Sequence, residues 1–329
     1  MDLNRRETLL AVANLTVHFY TERGVVKALE GAELRVGKGE VVGLIGESGC
    51  GKTTMARSIL RVLPPGGRIV GGEISFAGKD LLALDEKDLN TSVRGKRITL
   101  IPQDPFNSFN PVFSVGTQIS DIMKWKGEAG GNKELDENKI REMLGKVQIP
   151  SPGDQLKKYP HQFSGGQRQR LMIAMALLPS PNLVIADEPT TALDVTVEAQ
   201  ILRLMSELVR GKEISVLFIT HDLGVASEVC ERMIVMYAGQ DMEDGPAEAL
   251  FSGPRHPYTV ELLESLPNPR GNIRDIPGEV PSLIHPPPGC RFNPRCPAAT
   301  ESCSAERPRR IEVEPGHWVR CFHPVGQKT

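Results

Sequence analysis

The chain has 329 residues, 40% of them hydrophobic and 24% charged, which is the composition of a globular protein with one or two domains. Its 39 Lys and Arg residues against 41 Asp and Glu residues give a net charge of -2. This balance argues against a general binder of nucleic acid, but it is compatible with a small anionic ligand such as a nucleotide.

The first predicted elements are two strand-like segments, Leu9–Phe19 and Val25–Val36, joined by a turn at Thr21–Gly24. Val41–Ile45 is an apolar run typical of a strand buried on both faces, and a helical pattern follows at Thr53–Val62. Further short apolar runs alternate with helix-period segments. The strands among them are Ile98–Pro102, Leu183–Ala186 and Ser215–Thr220, and the clearest helices are Gln167–Leu178 and Val197–Arg210. This alternation predicts an α/β core preceded by an antiparallel β portion.

The composition changes near residue 250. Residues 251–329 hold 14 of the 26 prolines and four of the six cysteines. We therefore predict a main domain over residues 1–250 and a small, irregular Cys/Pro-rich module over residues 251–329.

Neither a membrane span nor a signal peptide is predicted. No window of about 18 residues is free of charge, which argues against a transmembrane helix. The first ten residues, MDLNRRETLL, lack the apolar core and the cleavage site of a signal peptide. The expected location is therefore the cytosol, where disulfides are rare.

The segment Gly46–Thr53 fits the phosphate-loop pattern G-x-x-x-x-G-K-[ST] and lies between a predicted strand and a predicted helix. Glycines allow backbone N–H groups to approach a phosphate closely, and a helix N-terminus favours negative charge. In such a loop Lys52 reaches the β- and γ-phosphates, and the Thr53 hydroxyl binds Mg²⁺. We assign the binding of a nucleotide's phosphates to this loop and to the adjoining Thr54. The loop residues are Gly46, Glu47, Ser48, Gly49, Cys50, Gly51, Lys52 and Thr53.

A pair of acids follows another apolar strand. Leu183–Ala186 leads directly into Asp187 and Glu188. Strand ends of an open α/β sheet face the ligand crevice, so Asp187 suits Mg²⁺ and Glu188 suits a base that polarises an attacking water. Acids at a strand end are common, and it is the phosphate loop in the same chain that makes this pair a candidate site.

A second anion-facing helix start is predicted at Ser164-Gly165-Gly166-Gln167. Taken alone, Ser164 is most simply a helix N-cap. The chain has two phosphate-type cradles but only one with a lysine. This favours a composite site, in which the second cradle completes the site of a neighbouring subunit.

The order of these motifs, with Gln103, Asp194 and His221 among them, resembles the ATP-binding subunits of ABC transporters. The resemblance implies a P-loop NTPase core of the ABC ATPase type, with an N-terminal antiparallel β portion, a helical subdomain carrying the signature motif and the C-terminal module. In that family Ser164–Gln167 is the signature. It contacts the γ-phosphate held by the partner subunit, so that two ATP molecules lie in a head-to-tail dimer.

The same resemblance implies roles for single residues. Gln103 senses Mg²⁺ and faces the membrane subunits, and His221 contacts the γ-phosphate. Asp194, in the segment Ala192–Asp194, lies between the two sites of the dimer. Phe19, or else Tyr20, stacks on adenine. The expected catalytic residues are thus Lys52, Gln103, Glu188 and His221, and the expected Mg²⁺ ligands are Thr53, Gln103 and Asp187.

Other stretches resemble the ATPases of importers for dipeptides, oligopeptides or nickel. They are Gln103–Pro111, Tyr159–Gln162, His256–Thr259 and Pro288–Pro297. The resemblance implies an ATPase on the cytoplasmic face of the membrane that energises peptide import. The implied partners are two transmembrane permease subunits, a second ATPase subunit that is identical or a paralogue, and an extracytoplasmic solute-binding protein, with no nucleic acid.

Two alternatives remain open from the sequence. The importer could carry nickel, sugars or opines, because no residue of this chain would touch the cargo. A soluble ABC ATPase without a transport role is disfavoured, because the 112 positions from Lys52 to Ser164 contain none of the heptads of a coiled coil.

The tail cysteines Cys290, Cys296, Cys303 and Cys321 have the spacing C-x₅-C-x₆-C-x₁₇-C. In a reducing compartment four thiols are compatible with one iron–sulfur cluster, one Zn²⁺ or a packed cap of reduced thiols. His285, His317 and His323 are spare candidate ligands. The resemblance favours a structural 4Fe–4S cluster, because importer ATPases with this tail carry one.

Overall fold

The computed structural model describes residues 6–126, 133–191, 194–209, 214–266 and 275–326. The chain forms two compact units. One contains the residues up to Ala83 together with Phe218 onwards, and the other contains Leu84–Leu217. The described part of residues 251–329 thus belongs to the same unit as the N-terminal strands, and the predicted boundary near residue 250 stays a prediction.

The first unit begins with an antiparallel sheet. Its strands are β1 (Thr8–Thr21), β2 (Gly24–Gly37), β4 (Gly67–Phe76) and β5 (Lys79–Asp80). They lie in the order β2-β1-β4-β5, and the register Thr21↔Gly24 places the predicted turn at the end of the β1–β2 hairpin. Leu10, Val12, Leu15 and Val17 of β1 are all buried. This confirms the antiparallel β portion predicted from the alternating pattern.

A second sheet of this unit carries the phosphate loop. The strands of this unit that belong to it are β3 (Val41–Ile45), β9 (Arg232–Tyr237), β10 (Gln240–Pro246), β11 (Ile311–Glu314) and β12 (His317–Val319). Strand β3 pairs in parallel with β9, whereas β10, β12 and β11 continue from β9 in antiparallel order. The helices of this unit are α1 (Lys52–Ile59), α8 (Leu223–Val229), α9 (Ala247–Ser252), α10 (Pro257–Glu264) and α11 (Glu301–Ala305).

The second unit combines a parallel strand pair with helices. Strands β6 (Ile98–Ile101) and β7 (Leu183–Asp187) pair from Ile98↔Leu183 to Ile101↔Ala186, so both run toward the same edge. The helices are α2 (Glu86–Ser92), α3 (Val115–Lys126), α4 (Lys133–Lys146), α5 (Pro152–Gln155), α6 (Gly165–Leu177) and α7 (Val195–Val209). Helices α6 and α7 begin two residues before their predicted starts, and Arg210 lies outside the described residues. Strand β8 (Ser215–Thr220) matches its prediction.

Ion pairs fasten the C-terminal residues to β10. The buried Asp241 accepts a hydrogen bond of 3.0 Å from Nε of Arg320, and the buried Asp244 accepts one of 2.6 Å from Arg310. The same two arginines also contact Glu33 of β2, at 2.7 Å and 2.9 Å. Because a buried carboxylate is costly without a partner, these contacts explain how Asp241 and Asp244 are buried. Within the described ranges, no helix is both long and apolar enough to cross a membrane.

Candidate functional site

The phosphate loop follows β3 and ends where α1 begins. Gly46 has φ 149°, and a Cβ atom there would lie 2.1 Å from the carbonyl oxygen of Met236. Gly51 has φ 108°, and its Cβ would lie 3.0 Å from the carbonyl oxygen of Ala28. A side chain at either position would be strained and would clash with backbone. Glycine is therefore required at both ends of this loop.

Lys52 is the first residue of α1 and is buried, with 5% of its surface exposed. Its ammonium group donates hydrogen bonds to the carbonyl oxygens of Gly46 at 2.7 Å and Glu47 at 3.1 Å. The N-cap residue Gly51 has no side chain to cap the helix. A lysine ammonium and an uncapped helix N-terminus therefore lie at one end of the loop, which is an arrangement that suits a phosphate group.

Cys50 is a buried member of the loop. Its Sγ atom lies 3.8 Å from Nζ of Lys52, but burial raises the pKa of the thiol despite the nearby positive charge. A protonated, buried thiol is a poor nucleophile. Cys50 is therefore a packing residue of the phosphate loop and not a reactive one.

In the second unit, the structure brings Gln103 and Glu188 together. Asp187 is the last residue of β7 and is buried, and Glu188 follows it with the left-handed backbone angle φ 47°. The Glu188 carboxylate accepts hydrogen bonds from Nε2 of Gln103 at 2.8 Å and from Oγ1 of Thr191 at 3.0 Å. The sequence indicated Gln103, Asp187 and Glu188 as site residues. It did not indicate Thr191, because the contact of Thr191 with Glu188 depends on the turn after β7.

Ser164 is the N-cap of α6, as the sequence predicted. Its hydroxyl accepts a hydrogen bond of 3.3 Å from the Gln167 N–H, and the Gln167 side chain accepts one of 3.1 Å from the Ser164 N–H. A Cβ atom on Gly166 would lie 2.8 Å from Cγ1 of Val197, so α6 and α7 approach closely at Gly166. Gly165 is the first residue of α6 and lies between Ser164 and Gly166 in the chain.

The other predicted site residues lie at element ends. Phe19 is partly buried in β1, whereas Tyr20 is 50% exposed and has the Arg68 guanidinium 5.5 Å from the centre of its ring. Asp194 caps α7 by accepting a hydrogen bond of 3.0 Å from the Val197 N–H. Ala192 and Leu193 lie outside the described residues.

His221 comes directly after β8 and is exposed. Thr53 and Thr54 lie in the first turn of α1, and both are partly buried. Ser48 and Gly49 are exposed at the tip of the phosphate loop. The positions of these residues are known, and their roles toward a ligand remain predictions.

The metal centre predicted for the tail is wrong. Among the described residues, which include all four tail cysteines, no group of three or more His, Cys, Asp and Glu side chains could hold a metal ion. This finding overturns the 4Fe–4S cluster and its zinc alternative. The thiols at the four positions are free and line one cavity together with His323. Burial raises the pKa of Cys290 to about 11 and of Cys321 to about 12, so both thiols are protonated at neutral pH.

The reason for the error is how the tail is held. A proline-rich segment with little core of its own needs a cross-link, and the cluster that the resemblance implied would have been one. The structure provides that link through arginines instead. Arg291 pairs with Glu30, Arg310 with Asp244, and Arg320 with Asp241.

A buried strand, a glycine loop closed by lysine and a helix start define a P-loop nucleotide-binding protein. Two family models match the chain. The model described as ABC transporter matches residues 29–191, and the model described as oligopeptide/dipeptide transporter, C-terminal region, matches residues 242–303.

Curated relatives match along almost the whole chain. A probable peptide ABC transporter ATP-binding protein of Sinorhizobium fredii is 48% identical, over 97% of this chain and 96% of the relative. The oligopeptide transport ATP-binding protein of Salmonella typhimurium is 45% identical over 96% of this chain and 94% of the relative. The dipeptide transport ATP-binding protein of Bacillus subtilis is 44% identical over 96% of this chain and 95% of the relative.

Solved structures agree with this assignment. The ATP-binding cassette MJ0796, in a dimeric post-hydrolysis state with ADP and phosphate, has a TM-score of 0.65 and 26% identity over 73% of this chain and 99% of that chain. The structure of cbiO1 from Clostridium perfringens has a TM-score of 0.62 and 25% identity over 75% of this chain and 91% of that chain. The chain belongs to the ABC transporter family, as an ATP-hydrolysing subunit.

Proposed function

We propose that this chain binds and hydrolyses ATP to energise the import of dipeptides and oligopeptides across the cytoplasmic membrane. The match of residues 242–303 to the C-terminal region of oligopeptide and dipeptide transporters carries the peptide assignment. The names of the relatives support it, because those relatives serve peptide, oligopeptide and dipeptide transport. The finer prediction, a separate module over residues 251–329, belongs to this proposal.

The residues fit ATP and Mg²⁺. Gly46 and Gly51 let the loop pack closely against the carbonyl oxygens of Met236 and Ala28, and Lys52 supplies positive charge at the loop. Thr53 and Asp187 bear the oxygen ligands that Mg²⁺ prefers, and Gln103 carries a further amide oxygen. In the proposed roles Lys52 binds the β- and γ-phosphates, and Thr53, Asp187 and Gln103 hold Mg²⁺. When bound, Mg²⁺ neutralises charge that develops on the phosphates.

Glu188 is the proposed base. Its carboxylate is oriented by the amide of Gln103 and the hydroxyl of Thr191, so one oxygen is fixed while the group remains able to polarise a water. His221 is proposed to contact the γ-phosphate. Phe19, or else the more exposed Tyr20 beside it, is proposed to stack on adenine.

The proposed assembly has several chains. Two ATPase subunits pair head to tail, so that Ser164–Gln167 and Asp194 of one chain complete the site of the other. The dimer docks on two permease subunits, which place this chain on the cytoplasmic face of the membrane, and an extracytoplasmic binding protein delivers the cargo. The dimeric state of MJ0796 supports the pairing.

Reconstitution with the permease subunits and the binding protein of the proposed assembly tests the proposal. Vesicles containing the assembly and ATP should accumulate a labelled dipeptide or pentapeptide, and Glu188→Gln should abolish the accumulation. The matched control is Glu207→Gln, which makes the same change on the exposed face of α7. Uptake of nickel, a sugar or an opine without peptide uptake would reassign the cargo and leave the ATPase role intact.

A further inference from the structure

Two residues from the C-terminal part of the chain, Tyr258 and Arg295, contact Glu47 of the phosphate loop. The Arg295 guanidinium forms a forked ion pair with the Glu47 carboxylate, at 2.9 Å and 3.3 Å. The remaining Arg295 donors reach the Tyr237 hydroxyl at 3.1 Å and the carbonyl oxygens of Ile276 at 3.1 Å and Pro277 at 2.8 Å. All five guanidinium N–H groups thus have an acceptor, and such a fork fixes direction as well as distance.

The Arg295–Glu47 pair is unequally exposed. The Arg295 side chain is 4% exposed and the Glu47 side chain 25%. Burial alone would lower the pKa of Arg295, but the hydrogen bonds to Glu47 and Tyr237 outweigh it and raise that pKa. Loss of Arg295 leaves a carboxylate that water can reach, whereas loss of the Glu47 charge leaves a buried guanidinium without its counter-ion. Arg295 is therefore the cleaner partner to change.

The backbone at Glu47 is held as well. Its N–H donates a 3.0 Å hydrogen bond to the hydroxyl of Tyr258, the second residue of α10. Tyr258 is fully buried, with its ring 4.6 Å from that of Tyr237 and 5.2 Å from that of Phe292. A tyrosine packed in this way has little freedom to move, so its hydroxyl is a fixed acceptor.

A second contact reaches the loop at Cys50. The Gly239 N–H donates a 2.8 Å hydrogen bond to the Cys50 carbonyl oxygen. The fully buried Arg291 donates to the carbonyl of Ala238, beside Gly239, and pairs with Glu30. The C-terminal segment, meaning the part of the chain that carries Tyr258, Arg291 and Arg295, thus holds the loop by two routes. It contacts Glu47 directly, and it contacts Cys50 indirectly, through the β9–β10 turn.

We propose that Tyr258 and Arg295 are positioning residues for ATP binding, which hold the phosphate loop in shape through Glu47. The carbonyl oxygens of Gly46 and Glu47 are the two that Lys52 contacts, so a shift of Glu47 also moves the acceptors that orient the lysine. The proposal rests on nucleotide binding at this loop and goes beyond the ATPase role. It gives the C-terminal segment a task at the nucleotide site.

Binding of ADP and Mg²⁺ to the purified full chain, measured by calorimetry, tests this role without hydrolysis. Arg295→Gln should raise the dissociation constant roughly tenfold, because a charge-assisted fork is lost while other loop contacts remain. Arg295→Lys keeps the positive charge but loses the forked geometry. Its dissociation constant should therefore lie between those of wild type and Arg295→Gln. Tyr258→Phe removes one hydroxyl from an otherwise unchanged core and should also weaken binding.

A matched control separates positioning from simple anchoring of the tail. Arg310 forms two ion pairs, with Glu33 and Asp244, and neither partner is in the phosphate loop. Arg310→Gln should leave the dissociation constant within about twofold of wild type even if it lowers the melting temperature. An equal loss of affinity in Arg310→Gln would overturn the proposal.

A double-mutant cycle provides the decisive result. If Arg295 acts through Glu47, then Arg295→Gln should change the dissociation constant by less than about twofold in a Glu47→Gln background. Additive losses would contradict action through Glu47.

Wild-type affinity in both Arg295→Gln and Tyr258→Phe would show that the loop keeps its shape without these two contacts. If no nucleotide bound to the wild-type chain, the nucleotide assignment itself would fail, and that outcome is distinguishable from loss in the variants alone.

Discussion

The amide of Gln103 donates a 2.8 Å hydrogen bond to the carboxylate of Glu188, a residue 85 positions further along the chain. The two residues follow the parallel strands β6 and β7, whose ends lie at the same edge. Glu188 also has a left-handed backbone, which costs a non-glycine residue about 1 kcal/mol or more and persists only where the surroundings enforce it. The structure thus holds Glu188, the residue that the sequence indicates as the general base, in a defined position.

We predict that Glu188→Gln keeps ATP binding but lowers turnover by roughly 10²–10⁴, because the amide cannot act as a base. Phosphate release and ATP binding measured on the same preparation separate the two effects. Glu207→Gln, on the exposed face of α7, should hydrolyse ATP at the wild-type rate. Wild-type hydrolysis by Glu188→Gln would exclude the role assigned to Glu188.

A second prediction concerns the shape of the phosphate loop. Gly46→Ala places a methyl group 2.1 Å from the Met236 carbonyl oxygen at φ 149°, so the loop must shift and nucleotide affinity should fall at least about tenfold. Gly78→Ala is the control, because Gly78 also has a positive φ, 77°, but open space around its Cβ position. It should lower stability slightly and leave affinity unchanged. Equal affinities for both variants would show that loop strain does not matter for binding.

Much of the fold was predictable because local pattern and burial agree. Val41–Ile45 and Leu183–Ala186 are apolar runs, and they form the buried strands β3 and β7. Strand β10 could not be predicted, because its sequence, QDMEDGP, reads as a polar loop. Its buried acids have distant partners: Asp241 pairs with Arg320, Asp244 pairs with Arg310 and Arg232, and Glu243 contacts His317. One chain read residue by residue does not show such partners.

The candidate site shows the same division. The phosphate loop and the acid pair were recognisable, since each chemistry needs residues that are adjacent in sequence. The contacts of Glu47 with Tyr258 and Arg295 join residues 211 and 248 positions apart, and no local signal indicates them. The family resemblance, by contrast, implied a metal centre at the tail cysteines that the arrangement of the side chains contradicts.

A third prediction tests whether hydrolysis needs two chains. Ser164 is exposed at the start of α6, and a Ser164→Arg substitution places a bulky cation there. If each site uses Lys52 of one chain and Ser164 of the other, mixing Ser164→Arg with Lys52→Ala yields dimers with one intact site. Phosphate release should then recover partly, whereas each variant alone remains inactive. Full activity of a strictly monomeric wild-type chain would refute the composite site, and recovery only with a paralogous subunit would indicate a mixed dimer.

The last prediction concerns acid stability, through Glu33. Burial tends to raise the pKa of Glu33, but Arg310 and Arg320 outweigh it and hold that pKa below its usual value. A carboxylate with a lowered folded pKa stabilises the fold above its unfolded pKa, and this contribution is lost as the pH falls through the folded pKa. Glu33→Gln should therefore cost about 1.5–3 kcal/mol at neutral pH, a loss that shrinks below about pH 4.5. Thermal unfolding between about pH 3.5 and 7 measures the difference. Glu73→Gln, an exposed change on β4, serves as the control and should follow wild type throughout. A deficit in Glu33→Gln that stayed constant down to the lowest pH would show that packing, rather than the charge of Glu33, is responsible.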